Sequence, residues 1–291
     1  MFVRYGYFDV VFFSLVFSLI FCFMCCVVDS LLGFWVFLEL SGLSIIPSFF
    51  LNNNVSYNFY SSVLCYVVMS GLSSVLLVSG LLISGLYYFV YFGFCVKFGL
   101  FPFMFWVYRV FSMGGWLFIF LLSVVMKFPV LFFCFLYEIS DLKIVYTDCF
   151  FTILVCCFLI WFFSLSWEYI WCHISLTSVS TLVVACFCNS IEVCFFIYWY
   201  YFFWACLTII YFIIVSDSMD LKGYLFWCFC FLLLVTPLSV PLFYKLSVSV
   251  GVLYSSVYIL LVWSFYSFSE QFFLYKLASD FFYSSVYNSW L

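Results

Sequence analysis

The sequence predicts an all-α polytopic membrane protein, on three observations. Seventy per cent of the 291 residues are apolar and only 7% are charged, against about 45–50% and about 25% in a soluble domain. A fold of this size cannot hide that much apolar surface from water. A water-soluble enzyme is therefore excluded, as is a disordered chain, which needs a polar majority. The apolar residues also fall in nearly unbroken runs, as at 10–28, 149–163 and 193–215, of the order that a membrane-crossing helix requires. Finally, the runs lack the alternating polarity of roughly ten-residue barrel strands. Lipid offers no partner to backbone N–H and C=O groups, so the runs must be helices.

Turn and charge signals divide the chain into about ten spans. The first, 8–28, is parted from the second, 31–51, by Asp29 and Ser30. Asn52-Asn53-Asn54 precedes the third, 59–84, and Gly114-Gly115 follows the fourth, 86–110. The fifth, 115–137, runs into a polar connection from Glu138 to Lys143, beyond which lie 144–164, 168–187 and 191–215. Ser216 to Gly223 leads to the ninth and tenth, 223–246 and 250–268. The mixed stretch 269–291, with Glu270, Lys276 and Asp280, reads as an interfacial tail with room for an eleventh span. The chain is thus expected to be one membrane domain, 1–291, with five-helix units at 8–137 and 144–268.

Loop charge sets orientation. With ten spans, the N-terminal side carries Arg4, Arg109, Lys222 and Lys276, and the opposite side Lys143. The positive-inside tendency places the N-terminus on the side of synthesis. The first apolar run begins almost directly after Met1, Arg4 and Asp9, with no cleavable signal or Arg-rich presequence in view.

The composition also carries a genomic signature. Phe (47), Tyr (24), Cys (16) and Trp (11) are abundant, whereas alanine occurs only at Ala185, Ala205 and Ala278 and glutamine only at Gln271. The enriched residues use T- and G-rich codons, which points to coding-strand bias in a small organellar genome. The cysteines lie inside the apolar runs and read as small apolar filler. With a lone histidine, His173, and no converging ligand set, no metal site is expected.

Four charged residues fall at hydrocarbon depth: Glu39, Lys97, Lys127 and Lys245. An ion there costs from about 2.5 to above 10 kcal/mol, so it must face the protein interior or a wet cavity. Lys97 stands in Gly93-Phe94-Cys95-Val96-Lys97-Phe98-Gly99-Leu100-Phe101-Pro102, and Lys245 follows Thr236-Pro237-Leu238-Ser239-Val240-Pro241. Gly99, Pro102, Pro237 and Pro241 are expected to break helices four and nine, freeing carbonyls that water in a cavity could satisfy. Interrupted helices at matching places in two halves mark inverted-repeat transporters, here two five-helix repeats. Buried bases beside one carboxylate suit proton movement, because burial disfavours the ammonium and a carboxylate favours it. Sodium transport would instead want clustered oxygen ligands.

Four segments resemble one known family. Trp35-Val36-Phe37-Leu38-Glu39-Leu40 with Ile46-Pro47, Lys97-Phe98-Gly99-Leu100-Phe101-Pro102-Phe103-Met104-Phe105-Trp106, Met126-Lys127-Phe128-Pro129, and Thr236 to Lys245 occur in family order. They are similar to NADH dehydrogenase subunit 2, the antiporter-like subunit of mitochondrial respiratory complex I. The resemblance implies that Glu39 and Lys97 pair in a first half-channel, that Lys127 is a central relay, and that Lys245 is the terminal lysine of a second half-channel. It further implies proton translocation coupled to NADH–ubiquinone electron transfer, with NADH, flavin, iron–sulfur clusters and ubiquinone on other subunits and no cofactor on this one. The implied partners are other complex I membrane subunits, neighbouring antiporter-like subunits and lipids, with no nucleic acid. The implied location is the mitochondrial inner membrane, N-terminus in the matrix.

Departures from the family pattern are Met104 for a histidine, Tyr108-Arg109 for Pro-Glu, Val240 for a glycine, and Leu182 where a helical histidine is usual. His173 is a candidate relay in its place, given the pKa of imidazole. Ser178 and Thr181 are candidates to support a water chain, although such hydroxyls commonly bond back to their own helix. A stand-alone ion antiporter and a structural subunit without a proton path are the rival functions. Haem and copper proteins are excluded by the lack of histidines.

Overall fold

The computed structural model describes residues 8–50, 57–137, 142–164, 166–218 and 223–287, and all regular structure among them is helical. Arg4, Asn52 to Asn54, Glu138, Asp141 and Lys222 lie outside the described residues. The elements are α1 (Phe8–Val27), α2 (Leu31–Phe49), α3 (Tyr57–Leu82), α4 (Tyr88–Phe98), α5 (Phe105–Phe111), α6 (Trp116–Ser123), α7 (Phe128–Leu136), α8 (Leu142–Phe163), α9 (Trp167–Cys188), α10 (Ile191–Ser218), α11 (Tyr224–Leu233), α12 (Val240–Leu253) and α13 (Val257–Tyr287). Among the described residues, eight spans are long and apolar enough to cross a membrane, one of them being α6 and α7 taken together (Trp116–Leu136). Three shorter apolar helices, α4, α11 and α12, stand beside them.

The helix α9 is the centre of the bundle. Every residue from Ile170 to Cys186 is buried, and α5, α7, α8, α10 and α12 all pack on it. A helix apolar or small on every side belongs in a core, and the Ser/Thr-rich run of α9 lets its neighbours approach closely. The outer helices turn large apolar residues outward, among them Phe23, Phe162, Phe203 and Trp227. In water that surface would aggregate; in lipid it is solvated.

Local chemistry sets the helix ends. Ser30 caps α2, accepting the Gly33 N–H at 3.2 Å. Gly99 ends α4 with φ +70°, the left-handed conformation that a side chain resists, and an added Cβ would meet Val107 at 2.3 Å. Pro102 lies in the gap that follows, Pro237 in the gap between α11 and α12, and Pro241 in the first turn of α12.

Three features differ from the sequence expectation. The span 115–137 is also interrupted: a 3₁₀ turn at Val125–Lys127 separates α6 from α7. Pro129, in the first turn of α7, has no N–H to continue the ladder. The tenth helix starts at Val257, because α12 runs on to Leu253 and the turn falls at 254–256. The residues expected to form an interfacial tail continue that helix to Tyr287, and no separate eleventh span occurs among the described residues.

Each break exposes carbonyls, and aromatic donors meet them. Trp106 Nε1 donates to Val96 O at 3.0 Å and Trp204 Nε1 to Leu232 O at 2.7 Å. Tyr201 Oη donates to Ser123 O at 3.1 Å and Tyr198 Oη to Val124 O at 3.3 Å. Trp106→Phe keeps the ring but deletes the donor. It should lower thermal stability by about 1–3 kcal/mol, the cost of an orphaned buried carbonyl. Trp199→Phe, at a site 48% exposed on the lipid side, should change little. Unfolding of the detergent-solubilised chain measures both.

Candidate functional site

The first break positions the first ion pair. Lys97 lies in the last turn of α4, one residue before Phe98 and the Gly99 cap, and Glu39 sits mid-way along α2. Lys97 Nζ is 2.7 Å from Glu39 Oε1, with the side chains 4% and 17% exposed. Nζ also donates to Ser70 Oγ at 3.0 Å, and Ser70 donates to Glu39 Oε2 at 3.4 Å. The triangle gives both ions charge-assisted hydrogen bonds, which a buried pair needs to offset desolvation. Gly42 leaves the space: a Cβ there would stand 3.3 Å from both Lys97 Nζ and Tyr66 Oη.

Lys127 sits at the second break and is 1% exposed, with no carboxylate among its hydrogen-bond partners. Its Nζ donates to Ser175 O at 2.9 Å, to Ser178 Oγ, and to Tyr201 Oη at 2.7 Å. Ser178 and Tyr201 each spend their own proton elsewhere, on Ser175 O and Ser123 O. Both hydroxyls therefore accept from the lysine. Three acceptors match the three protons of an ammonium. The Tyr201 ring adds its face, 3.9 Å from Nζ to the centroid.

Lys245, in α12 beyond the third break, lies 3.1 Å from Glu270 Oε1, with side chains 14% and 4% exposed. Sequence reasoning placed Glu270 in the tail. The signal for its burial was the spacing: Tyr266, Glu270, Leu274 and Ala278 recur every four residues and all are buried, whereas Phe265, Phe268, Phe272 and Tyr275 face outward.

Two cavities link these groups. The first, about 30 Å³, is lined by Ser70, Lys97, Trp106, Met126, Lys127 and Ser175, among others, so both lysines open onto it. It has room for about two waters. The second, about 20 Å³, is lined by Thr177, Ser178, Thr181, Tyr244, Lys245 and Glu270, with others. Ser178 thus touches Lys127 on one side and lines the second cavity on the other. The order through the bundle is Glu39, Ser70, Lys97, cavity, Lys127, Ser178, cavity, Lys245, Glu270.

His173 is fully buried but lines neither cavity. Its Nδ1 pairs with Tyr108 Oη at 2.8 Å, and its Nε2 has no hydrogen-bond partner. Thr177, Ser178, Ser180 and Thr181 all donate back to carbonyls of their own helix. Among the described residues no cluster of His, Cys, Asp or Glu could hold a metal ion, and all sixteen cysteines are free.

No protein-family model matches the chain, and no curated protein matches it. Among solved structures, it is similar to a chain of respiratory complex I from Thermus thermophilus, solved with bound aureothin. The TM-score is 0.77 at 13% identity, over 96% of this chain and 72% of that one. At that identity the likeness is one of fold: this chain folds as an all-helical polytopic membrane protein of the kind found in that complex.

Proposed function

We propose that the chain is a proton-translocating membrane subunit of a respiratory complex I. The observation that carries the reading is the row of buried charges, each lysine at or beside an interrupted helix, with Lys97 and Lys127 sharing a water-sized cavity and Lys127 linked through Ser178 to the cavity of Lys245. The likeness to the Thermus complex I chain supports the setting, and the resemblance of the lysine segments supports assignment to the subunit 2 type. On this reading the chain lies in the mitochondrial inner membrane with its N-terminus in the matrix. NADH, flavin, iron–sulfur clusters and ubiquinone belong to other subunits, and this chain couples their electron transfer to proton movement.

The geometry suggests the sequence of events. Separating Glu39 from Lys97 leaves an ammonium whose desolvation is no longer offset. It is relieved when a proton passes to water in the first cavity. Lys127 stands at the far end of that cavity and Ser178 beyond it, so hydroxyl and water rotation can hand a proton on toward Lys245. Tyr201 and Ser175 hold Lys127 in place between transfers.

Native electrophoresis of membranes from the source, followed by an NADH-oxidation stain, tests the assignment. The chain should migrate with the stained complex. Migration as a small monomer would favour a stand-alone antiporter, and purified chain in liposomes should then exchange ions by itself.

A further inference from the structure

The second ion pair is tied to its helix break, and the first is not. Gln271, the only glutamine in the chain, donates from Nε2 to Glu270 Oε1 at 3.2 Å and to Leu233 O at 3.3 Å. Its Oε1 accepts the Val235 N–H at 2.8 Å. Leu233 ends α11 and Val235 lies just inside the gap before α12, and Glu270 Oε1 is the oxygen that Lys245 approaches. One side chain therefore touches the ion pair and the α11 edge of the broken backbone, while Lys245 of the same pair belongs to α12. At the first break, Thr152 Oγ1 accepts the Phe101 N–H at 2.9 Å and Trp106 serves Val96 O. Neither is hydrogen-bonded to Glu39 or Lys97, whose third partner is Ser70.

We propose that Glu270 is the proton-accepting carboxylate of the second ion pair, and that Gln271 is a positioning residue coupling the charge on Glu270 to the geometry of the α11–α12 break. The inference rests on the relay reading above. In the step, an N–H bond of the Lys245 ammonium breaks and an O–H bond forms on Glu270. The products are a neutral amine and a neutral carboxylic acid, and the total charge of the pair is unchanged. A carboxylate accepts a hydrogen bond about twice as strongly as a neutral group. The neutral acid therefore holds Gln271 Nε2 weakly. The amide is freed to turn, and Val235 N–H and Leu233 O lose their common clamp. With the pair charged, the clamp closes and the break is held. Proton transfer within the pair is thereby converted into release of the α11 end of the break.

Backbone hydrogen exchange over 233–240 in the full-length chain within its native membrane assembly tests this, using a double-mutant cycle. Glu270→Gln should speed exchange at Val235 about five- to tenfold, and Gln271→Met by about tenfold, the weight of one or two buried hydrogen bonds. The double variant should be no faster than Gln271→Met, because the charge acts through the amide. Gln271→Asn, one methylene too short to reach both partners, serves in the same cycle if the Met variant fails to accumulate. Unchanged exchange in Glu270→Gln, or additive effects of the two substitutions, overturns the coupling. NADH-driven proton translocation in Glu270→Gln should fall at least tenfold; normal translocation overturns the accepting role. The exchange cycle is read without pumping. Failure of the relay reading would leave it intact, and failure of the coupling would leave a pumping defect at Lys127 intact.

Discussion

Glu39→Leu should destabilise the chain by about 3–5 kcal/mol, the cost of stranding one member of a buried ion pair. The ammonium left behind is only 4% exposed. Of its partners only the Ser70 hydroxyl remains, and that hydroxyl carries no charge. The double variant Glu39→Leu/Lys97→Met removes the stranded charge as well, and should recover most of the loss, since a well-packed apolar pair is often neutral or better than an ion pair. Thermal unfolding of the four members of the cycle in detergent measures this. A double variant as unstable as Glu39→Leu would mean that packing around α2, and not the charge, sets the cost.

Lys97→Met is expected to behave differently, because the pair is asymmetric. The carboxylate it leaves is 17% exposed and keeps the Ser70 hydroxyl at 3.4 Å. Assembly should survive, while NADH-driven proton translocation falls at least tenfold, equivalent to about 1.4 kcal/mol or more on the limiting step. Proton uptake by sealed membrane vesicles, normalised to the amount of assembled complex, is the measurement. A fall in assembled complex with unchanged pumping per complex would make the Glu39–Lys97 pair structural.

These contrasts follow from features with unequal visibility in the sequence. Gly99 with Pro102, and Pro237 with Pro241, advertise their helix breaks, since a left-handed glycine and a missing N–H leave little else for the backbone to do. The break at Val125–Lys127 was concealed by an apolar run that hydropathy alone joins into one span; Pro129 was its one local sign. Glu270 was hidden by composition. Its helix mixes polar and apolar residues, and only the four-residue spacing of its buried face separates it from a surface tail. Partners such as Ser70 for Lys97 and Tyr201 for Lys127 lie 27 and 74 positions away in sequence. No local pattern encodes such pairs, which arise only when α3 and α10 pack. The aromatic excess reads as codon bias at the level of composition, yet Trp106, Tyr198, Tyr201 and Trp204 are placed where carbonyls have lost their helical partners.

In the proposed relay one row of buried groups carries protons across the bundle, and Lys127 stands between its two cavities, lining the first and reaching the second through Ser178. Lys127→Met preserves an unbranched apolar stem of similar length and removes the only group that can hold a proton between them. Protons translocated per NADH oxidised should be measured in sealed vesicles carrying this variant, at matched levels of assembled complex. The row predicts that the stoichiometry falls, because this subunit's share is lost. An unchanged proton-to-NADH ratio would contradict it.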